Sequence, residues 1–323
     1  MTRIVGIDIA KNTFDIATLQ DNGKFRTKGK LPNSKDGFET LLGWLQKHAA
    51  PEAWVVMEAT GIYHEAVAEF LFKQGYQVAV VNPAQVASYA RSQLQRIKTD
   101  KSDAKLLADY GVRHCDQLRA WQPDPPSIRQ LRALVRRLED LEEIQQMEQN
   151  RLDVANENVR DSIRTLLQHV AQQIIDTEQA ISQHIDDDPD LKGKKDLIVS
   201  IKGIGDKTAA LLLSELGDPL RFHSAKALGA FAGVTPRRQE SGQWRGRTAI
   251  SRMGSARLRA GLYMPAISAI GHNPAIREQA QRLRERGKAG KQIVCAAIRK
   301  LLGIVYGVLK SGQPFDVSKA LAH

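Results

Sequence analysis

The chain has 323 residues, of which 42% are hydrophobic, a net charge of +11 at pH 7 and two cysteines. This length suits two domains that each bury a core, and no stretch stays apolar for the roughly 18 residues of a membrane span. The N-terminus lacks the small-residue cleavage site of a secretory signal, so we expect a cytoplasmic protein. Cys115 and Cys295 are far apart and outside any CxxC pair, which argues against a disulfide framework and a zinc site.

Charge is distributed unevenly along the chain. The net charge is +3 over residues 1–123, −7 over residues 124–192 and +15 over residues 193–323. Such a basic C-terminal part indicates a polyanionic partner, above all nucleic acid, although a solvated basic surface would give the same sum. Together with the patterns below, this predicts three parts: 1–120, 121–190 and 191–323.

Strand and helix patterns alternate over the first 120 residues, which is typical of an α/β layer. The predicted strands lie within 4–19, which turns near Lys11 and Asn12, and at 24–30, 53–58 and 77–81; the predicted helices lie at 34–48, 63–74 and 83–112. Three antiparallel strands followed by helix-linked strands are the order of a ribonuclease H-like fold. In such a sheet the first and fourth strands are neighbours, so we expect Asp8 and Glu58 to lie side by side.

Four carboxylates in this part form a candidate metal site. Asp8 lies inside the apolar run RIVGIDIA, where an ionised carboxylate without a partner is costly to bury. Glu58 closes the apolar run AWVVME, and Asp100 and Asp103 share one face of a predicted helix. Carboxylates gathered at one point repel one another unless a divalent cation lies among them, and Mg2+ prefers such oxygen ligands. Alternatively, Asp100 or Asp103 caps the helix and Glu58 is a surface residue.

The middle of the chain has the pattern of long helices. Residues 120–127, AWQPDPPS, contain three prolines and predict a linker. Residues 128–157 contain neither proline nor glycine and place leucines at 3, 4, 3 spacing, and residues 163–185 carry apolar residues at heptad-like positions. This predicts a coiled coil used for spacing or self-association, or else an intramolecular helical bundle.

Residues 197–213, LIVSIKGIGDKTAALLL, predict two apolar helices around a GxG turn. This is the layout of a helix-hairpin-helix, whose turn amides and following helix N-terminus can hold a backbone phosphate. The candidate nucleic-acid contacts are Gly203, Gly205, Lys207 and Thr208. A plain glycine turn between core helices is the alternative.

An arginine-rich segment follows at residues 233–259, with Ser241 inside it. Arginines at this density are expected to bind phosphates. The ones assigned to nucleic-acid binding are Arg237, Arg238, Arg245, Arg247 and Arg252. Ser241 is a candidate nucleophile, although a serine in a glycine-containing loop is commonly a turn residue, and Ser251 and Ser255 are rivals in the same segment. Residues 262–309 predict further helices, so that the C-terminal domain is mostly helical.

Five sequence blocks in this order resemble one known family. GIDIAKNTFD with Asp8, MEATG with Glu58, KTDKSDA with Asp100 and Asp103, IKGIG, and FAGVTPRRQESG with Ser241 resemble the DEDD-type insertion-sequence transposases. The resemblance covers nearly the whole chain and implies a RuvC-like N-terminal domain followed by a serine-bearing C-terminal transposase domain. Lys202 departs from the family, in which the hairpin turn often has proline, and this weakens only the phosphate-turn assignment.

The resemblance implies a DNA recombinase that moves its own mobile element. By family analogy Asp8, Glu58, Asp100 and Asp103 hold Mg2+, with Mn2+ as a substitute, and Ser241 becomes covalently joined to DNA as a phosphoserine. The family further implies double-stranded donor and target DNA, a structured noncoding bridge RNA, a homo-oligomer of two or four copies, and association with the nucleoid during activity.

Three other functions are compatible with the sequence. They are a site-specific DNA invertase of the related Piv type, a RuvC-like metal nuclease in which water attacks, and a nucleic-acid-binding protein without catalysis. Protein-linked DNA would separate the recombinase from the nuclease. Mg2+-dependent cleavage that is lost in Asp8→Asn would exclude the binding-only function.

Overall fold

The computed structural model describes residues 2–59, 61–94, 99–237, 240–241, 244–245 and 249–318, with 240–241 and 244–245 described by their backbone. The chain forms two compact units, Met1–Pro123 and Asp124–His323. The first is a mixed α/β unit and the second is mostly helical, as predicted. The predicted middle part groups with the C-terminal part from Asp124 onward.

Five strands form the sheet of the first unit. They are β1 (Thr2–Ile9), β2 (Thr13–Leu19), β3 (Phe25–Pro32), β4 (Ala49–Glu58) and β5 (Gln77–Val81). Their order is β3-β2-β1-β4-β5, in which β1 pairs antiparallel with β2 and parallel with β4. The prediction that the first and fourth strands are neighbours is therefore confirmed. β4 begins earlier than the predicted Ala53 because Ala49 pairs with Thr2 at the start of β1.

Helices cover both faces of this sheet. They are α1 (Lys35–His48), α2 (Glu65–Lys73), α3 (Pro83–Ser92) and α4 (Asp100–Arg113). Because strand side chains alternate, Val5 and Ile7 face a core that α1 and α2 close. Ile4 and Val56 face the other side, in a smaller core closed by α3 and α4. Asp8 shares the face of Ile4 by the same alternation, so the first candidate acid lies on the α4 side of the sheet.

Two long helices open the second unit, α5 (Pro126–Val154) and α6 (Glu157–Asp186). They pack along each other as a hairpin, and His184 Nε2 lies 2.8 Å from the Ser127 carbonyl oxygen at its open end. α5 begins at Pro126, inside the predicted linker, because the first helical position needs no backbone N–H. The apolar pattern is thus used within one chain, and self-association through the hairpin stays a prediction.

Seven shorter helices are described in the rest of the second unit. They are α7 (Pro189–Val199), α8 (Asp206–Leu216), α9 (Ala225–Phe231), α10 (Ala256–Gly261), α11 (Tyr263–His272), α12 (Pro274–Glu285) and α13 (Gly290–Ser311). Among the described residues, α13 alone is long and apolar enough by composition to cross a membrane. Leu301, Leu302 and Val305 of this helix are fully buried in the core of the unit, which accounts for its apolar character.

Two short ribbons lie between α9 and α10. β6 (Pro236–Arg237) pairs with β9 (Ala249–Ile250), and β7 (Glu240–Ser241) pairs with β8 (Trp244–Arg245). The prediction of a mostly helical domain did not include these strands. They contain the arginine-rich segment and Ser241, so this candidate nucleophile lies on a β-ribbon within a helical unit.

Candidate active site

The first candidate acids lie where neighbouring strands end at one edge of the sheet. Ile7 of β1 pairs with Met57 of β4, so Asp8 and Glu58 follow at adjacent positions. On its other side Asp8 pairs directly with Asp15 of β2. Directly paired residues of an antiparallel ladder project to the same face, so Asp15 joins Asp8 on the face that α4 covers.

Gly6 lets α4 lie directly on this face. A Cβ at Gly6 would be 2.3 Å from the Ala104 carbonyl oxygen and 2.3 Å from the Ala108 backbone nitrogen. Near the other end of the helix, a Cβ at Gly111 would be 2.6 Å from Ile4 Cγ2. These two close approaches fix the course of α4 over β1. Its first turn is consequently directed toward the strand end that carries the candidate acids.

A capping box begins α4. Thr99 Oγ1 accepts a hydrogen bond from the Ser102 N–H at 3.2 Å, and Ser102 Oγ accepts one from the Thr99 N–H at 2.7 Å. Thr99 is therefore the cap, and neither Asp100 nor Asp103 has that role. Both carboxylates lie in the first turn, where the positive end of the helix dipole favours negative charge.

The charges of these acids converge on Asp8. Burial raises the pKa of Asp8 from 3.8 to about 6, and the charges of nearby carboxylates add to the effect. In decreasing order of effect these are Asp103, Asp100, Glu58 and Asp15. Their oxygen donors are of the type that a hard divalent cation prefers. Within the described residues no three His, Cys, Asp or Glu side chains form a closed metal-binding group, so holding an ion requires the side chains to turn toward one another.

Asp15 is the acid that sequence reasoning missed. It is only 4% exposed, and its Oδ2 accepts a hydrogen bond from the Lys30 N–H at 3.3 Å. A Cβ at Gly29 would be 2.2 Å from Asp15 Oδ1. The missing side chain at Gly29 of β3 therefore leaves room for the Asp15 carboxylate. The short turn after Ala10 is the sequence signal that could have identified Asp15. A tight hairpin fixes which residues of β1 and β2 are opposite each other, and so places Asp15 opposite Asp8.

Most of the arginine-rich segment lies within residues 231–255, which we call the serine loop. The two ends of the loop, residues 231–235 and 251–255, pair with each other through backbone hydrogen bonds, and we call this paired part the stem. The Ser251 N–H donates to the Thr235 carbonyl at 2.8 Å, and the Ser255 N–H donates to the Phe231 carbonyl at 2.8 Å. The loop therefore leaves the helical core and returns to it at one place.

Ser241 lies beyond this stem, on the β7–β8 ribbon. Its backbone pairs with that of Trp244. The side chains of Ser241 and Arg245 lie outside the described residues, as do Arg238 and Arg247 altogether. The assignment of these residues to catalysis and phosphate binding stays a prediction.

The two rival serines have structural roles in the stem. Ser251 Oγ donates to the Gly233 carbonyl at 3.3 Å. Ser255 Oγ accepts from the Leu258 N–H and so caps α10, and it donates to Glu215 Oε2, both at 3.2 Å. The described contacts therefore give Ser251 and Ser255 structural roles, and the choice of nucleophile among the three serines stays a prediction.

The arginines of this segment fall into two groups. Arg237 and Arg252 are exposed and accessible to a polyanion. Arg257 and Arg259 are instead bound to protein groups: Arg257 to the carboxylate of Glu139 on α5, and Arg259 to backbone carbonyls of the stem. High arginine density in the sequence therefore does not mean that every arginine is free to bind phosphate.

Close packing explains the first glycine of the GxG turn. Gly203 has φ +103°, and a Cβ there would be 2.7 Å from the backbone of Ala269 on α11. Gly205 is the N-cap of α8 and has open space beside it, and Thr208 follows within α8. Lys207 forms an ion pair with a glutamate of α5. Phosphate binding by this turn stays a prediction.

Comparison with known proteins covers both units. A DEDD-type transposase model of the IS110 group matches residues 5–159, and a model described as Transposase IS116/IS110/IS902 family matches residues 195–281. The pilin gene-inverting proteins of Moraxella bovis and Moraxella lacunata are each 36% identical over 97% of this chain and 97% of their own length. The chain belongs to the IS116/IS110/IS902 transposase family.

This family includes both insertion-sequence transposases and gene-inverting proteins. The transposase of IS1111A from Coxiella burnetii is 24% identical over 84% of this chain and 78% of its own. The transposase of IS1328 from Yersinia enterocolitica is 25% identical over 97% of this chain and 98% of its own. The first family match spans Asp8, Glu58, Asp100 and Asp103, and the second spans the GxG turn and Ser241.

Proposed function

We propose that this member of the IS116/IS110/IS902 transposase family is a metal-dependent DNA recombinase that joins itself to DNA through a serine. The observation that carries the proposal is the placement of Asp8 beside Glu58 at the end of a buried strand, toward which α4 directs the turn that holds Asp100 and Asp103. The strand order, which is the one expected of a RuvC-like domain, supports it. The proposed catalytic residues are Asp8, Glu58, Asp100, Asp103 and Ser241.

The first unit would hold Mg2+, or Mn2+ in its place, between Asp8, Glu58, Asp100 and Asp103. The donors suit this role because they are carboxylates whose mutual repulsion a divalent cation would offset. When bound, such an ion polarises a phosphodiester and activates an attacking hydroxyl. The contribution of the chain itself is positional: Gly6 lets α4 approach, and the Thr99 cap fixes where the first turn begins.

The second unit would supply the nucleophile. The Ser241 hydroxyl loses its proton as the bond from Oγ to phosphorus forms, the bond from phosphorus to the deoxyribose oxygen breaks, and that oxygen takes up a proton. One phosphate ester replaces another, so the strand can be resealed by the reverse reaction without ATP. This chemistry requires the acids and the serine to meet, either in one copy or between copies of a homo-oligomer.

The basic C-terminal part would hold the nucleic acid. The exposed Arg237 and Arg252, together with Arg238, Arg245 and Arg247, would contact phosphates and stabilise charge on the phosphorus oxygens. By family resemblance we further propose that a structured bridge RNA pairs with donor and target DNA. Sequencing RNA that copurifies with the protein, and comparing it with the noncoding DNA beside the gene, tests this partner.

The test of the chemistry is trapping of protein-linked DNA. End-labelled duplex that contains the insertion junction is incubated with the protein, the flanking transcript and Mg2+, and then denatured in detergent. We expect labelled protein from the parent chain, none from Ser241→Ala or Asp8→Asn, and a DNA-linked peptide that maps to Ser241. Full cleavage by Ser241→Ala without a protein adduct would favour the metal nuclease. Binding without any Mg2+-dependent cleavage would favour the binding-only function.

DNA inversion is the second candidate function, because the relatives at 36% identity are named pilin gene-inverting proteins. The same residues and the same chemistry serve both outcomes, and only the arrangement of the DNA sites differs. A plasmid with two junction sequences in inverted orientation, compared with a plasmid carrying one junction and a separate target, distinguishes them. Recombination of the first plasmid alone would assign the protein as an invertase.

A further inference from the structure

Arg259 connects the two sides of the serine-loop stem. It lies on α10, directly after the loop, and its Nη1 donates to three backbone carbonyls. The distances are 2.9 Å to Ala232, 3.1 Å to Gly254 and 3.2 Å to Ser255. Ala232 belongs to the side of the stem that enters the loop, and the other two belong to the side that leaves it. One guanidinium group therefore bridges the base of the loop.

Two glycines leave room for this contact. Gly233 has φ +70°, and a Cβ there would be 2.4 Å from Arg259 Nη1. Gly254 has φ +146°, and a Cβ there would be 2.1 Å from the Phe231 carbonyl oxygen. Any other residue at either position would strain the backbone. A Cβ at Gly233 would displace the Arg259 guanidinium group, and a Cβ at Gly254 would push the two sides of the stem apart.

The loop needs such an anchor because its paired segments are short. The two ribbons beyond the stem have two residues on each strand, and an isolated two-stranded ribbon is marginally stable in water. Arg252 has φ +55° and donates its N–H to the Gly233 carbonyl at 3.1 Å, directly beside the bridged carbonyls. A shift at this base would alter the neighbouring pairing of Thr235 with Ser251, through which the chain enters and leaves the segment that carries Ser241.

We propose that Arg259 is a positioning residue that holds the base of the serine loop, and that it is not one of the phosphate-binding arginines. Its Nη1 is engaged by carbonyls of the protein itself, and the side chain is half-buried, whereas Arg252 is exposed. The consequence for Ser241 rests on the proposed function. The contact between Arg259 and the stem does not depend on it.

The experiment compares three substitutions in the full-length protein. Arg259→Met keeps the length of the side chain and removes the donors, and Arg259→Lys returns several N–H donors on one nitrogen. Arg257→Met is the matched control, because this arginine is on the same helix but contacts Glu139 and not the stem. The readouts are hydrogen exchange of the stem amides, affinity for insertion-junction duplex at two salt concentrations, and the rate of protein–DNA adduct formation at saturating DNA.

We expect Arg259→Met to accelerate exchange of the stem amides by at least about tenfold, since the loss of even one of its three charge-assisted hydrogen bonds has an effect of this size. Its adduct rate should fall at least as much, while DNA affinity and its salt dependence stay unchanged. Arg259→Lys should fall between this variant and the parent, and Arg257→Met should match the parent in exchange. Substitution of a phosphate-binding arginine would instead weaken DNA binding and reduce the salt dependence of that binding.

Two results would overturn the proposal. One is unchanged stem exchange in Arg259→Met, and the other is a loss of DNA affinity and salt dependence in that variant. If Arg259→Met does not fold, faster stem exchange in Arg259→Lys than in Arg257→Lys supports the proposal, and equal exchange overturns it. If the parent protein forms no DNA adduct, the proposed serine chemistry fails, and the exchange measurement still decides the role of Arg259.

Discussion

Replacing Asp8 by asparagine should stabilise the metal-free protein and abolish its response to Mg2+. Asparagine has nearly the shape of aspartate but cannot ionise, so it removes both the cost of burying a charge and the repulsion by neighbouring carboxylates that raise the pKa of Asp8. Active sites that gather like charges lower the stability of the fold that holds them, and a neutral substitute recovers that stability at the expense of function.

The raised pKa of Asp8 sets the size and the pH range of the effect. Because the pKa rises from 3.8 to about 6 on folding, the folded protein binds more protons than the unfolded chain between these pH values. Its stability therefore falls as the pH rises through this window and stays lower above it. The full shift in the pKa of Asp8 corresponds to a loss of about 3 kcal/mol in the free energy of unfolding. Asp8 is partly exposed, and screening by water reduces the expected gain in Asp8→Asn to about 1–2 kcal/mol at pH 8.

Thermal unfolding of the parent and of Asp8→Asn, from pH 4 to pH 8, checks this prediction. In EDTA the melting temperatures of the first unit should coincide near pH 4 and differ by about 3–8 °C at pH 8, with the variant higher. Mg2+ should then raise the melting temperature of the parent alone. Asp21→Asn, which replaces an exposed turn residue, should change neither quantity. A variant less stable than the parent at pH 8 in EDTA, or an equal Mg2+ response in both, would contradict the prediction.

Four further substitutions, one of them a control, test the packing and capping of the two units, with urea denaturation as the measurement. Gly6→Ala should cost about 1–3 kcal/mol and abolish the Mg2+ response, because its Cβ would come within 2.3 Å of the α4 backbone; an unchanged Mg2+ response would contradict this. Gly203→Ala should destabilise the second unit, since it has φ +103°, whereas Gly193→Ala, beside open space within α7, should be neutral or stabilising. Asp188→Ala removes the cap of α7 and should cost about 1 kcal/mol at pH 7. Hydrogen bonds from the backbone, chiefly from Leu191, lower the pKa of Asp188, so this cost should disappear as the pH falls through that lowered value.

Local patterns were sufficient to predict most of the elements that build the acid site. Alternating apolar residues predict β1 and β4, and the order of strands and helices makes these two strands neighbours, as the pairing of Ile7 with Met57 confirms. The spacing of Asp100 and Asp103 predicts that they share a helix turn, and both lie in the first turn of α4. What local spacing cannot give is the distance between that turn and the strands. It depends on Gly6, whose missing side chain matters only once α4 lies against it.

The serine loop shows where sequence reasoning stops. Counting arginines treats Arg252 and Arg259 alike, although one is exposed and the other is bound to the Ala232 carbonyl 27 positions earlier in the chain. Such a contact joins a side chain to a backbone carbonyl. Every residue has a backbone carbonyl, so the sequence does not indicate which one is bound. Asp15 was missed for a related reason, since its position opposite Asp8 follows from hairpin register and not from any feature of its own strand.

In each unit, backbone contacts hold the elements that carry the candidate catalytic side chains. Carboxylates that repel one another cannot position themselves, and the approach of α4 to Gly6 brings them together without any attraction between them. In the second unit, carbonyls bridged by Arg259 hold the loop that carries Ser241. We therefore expect the proposed catalytic side chains to be dispensable for folding. Loss of activity in Asp8→Asn or Ser241→Ala should occur in a folded protein and reflect chemistry, whereas loss of activity in Gly6→Ala should reflect displacement of acids that remain chemically intact.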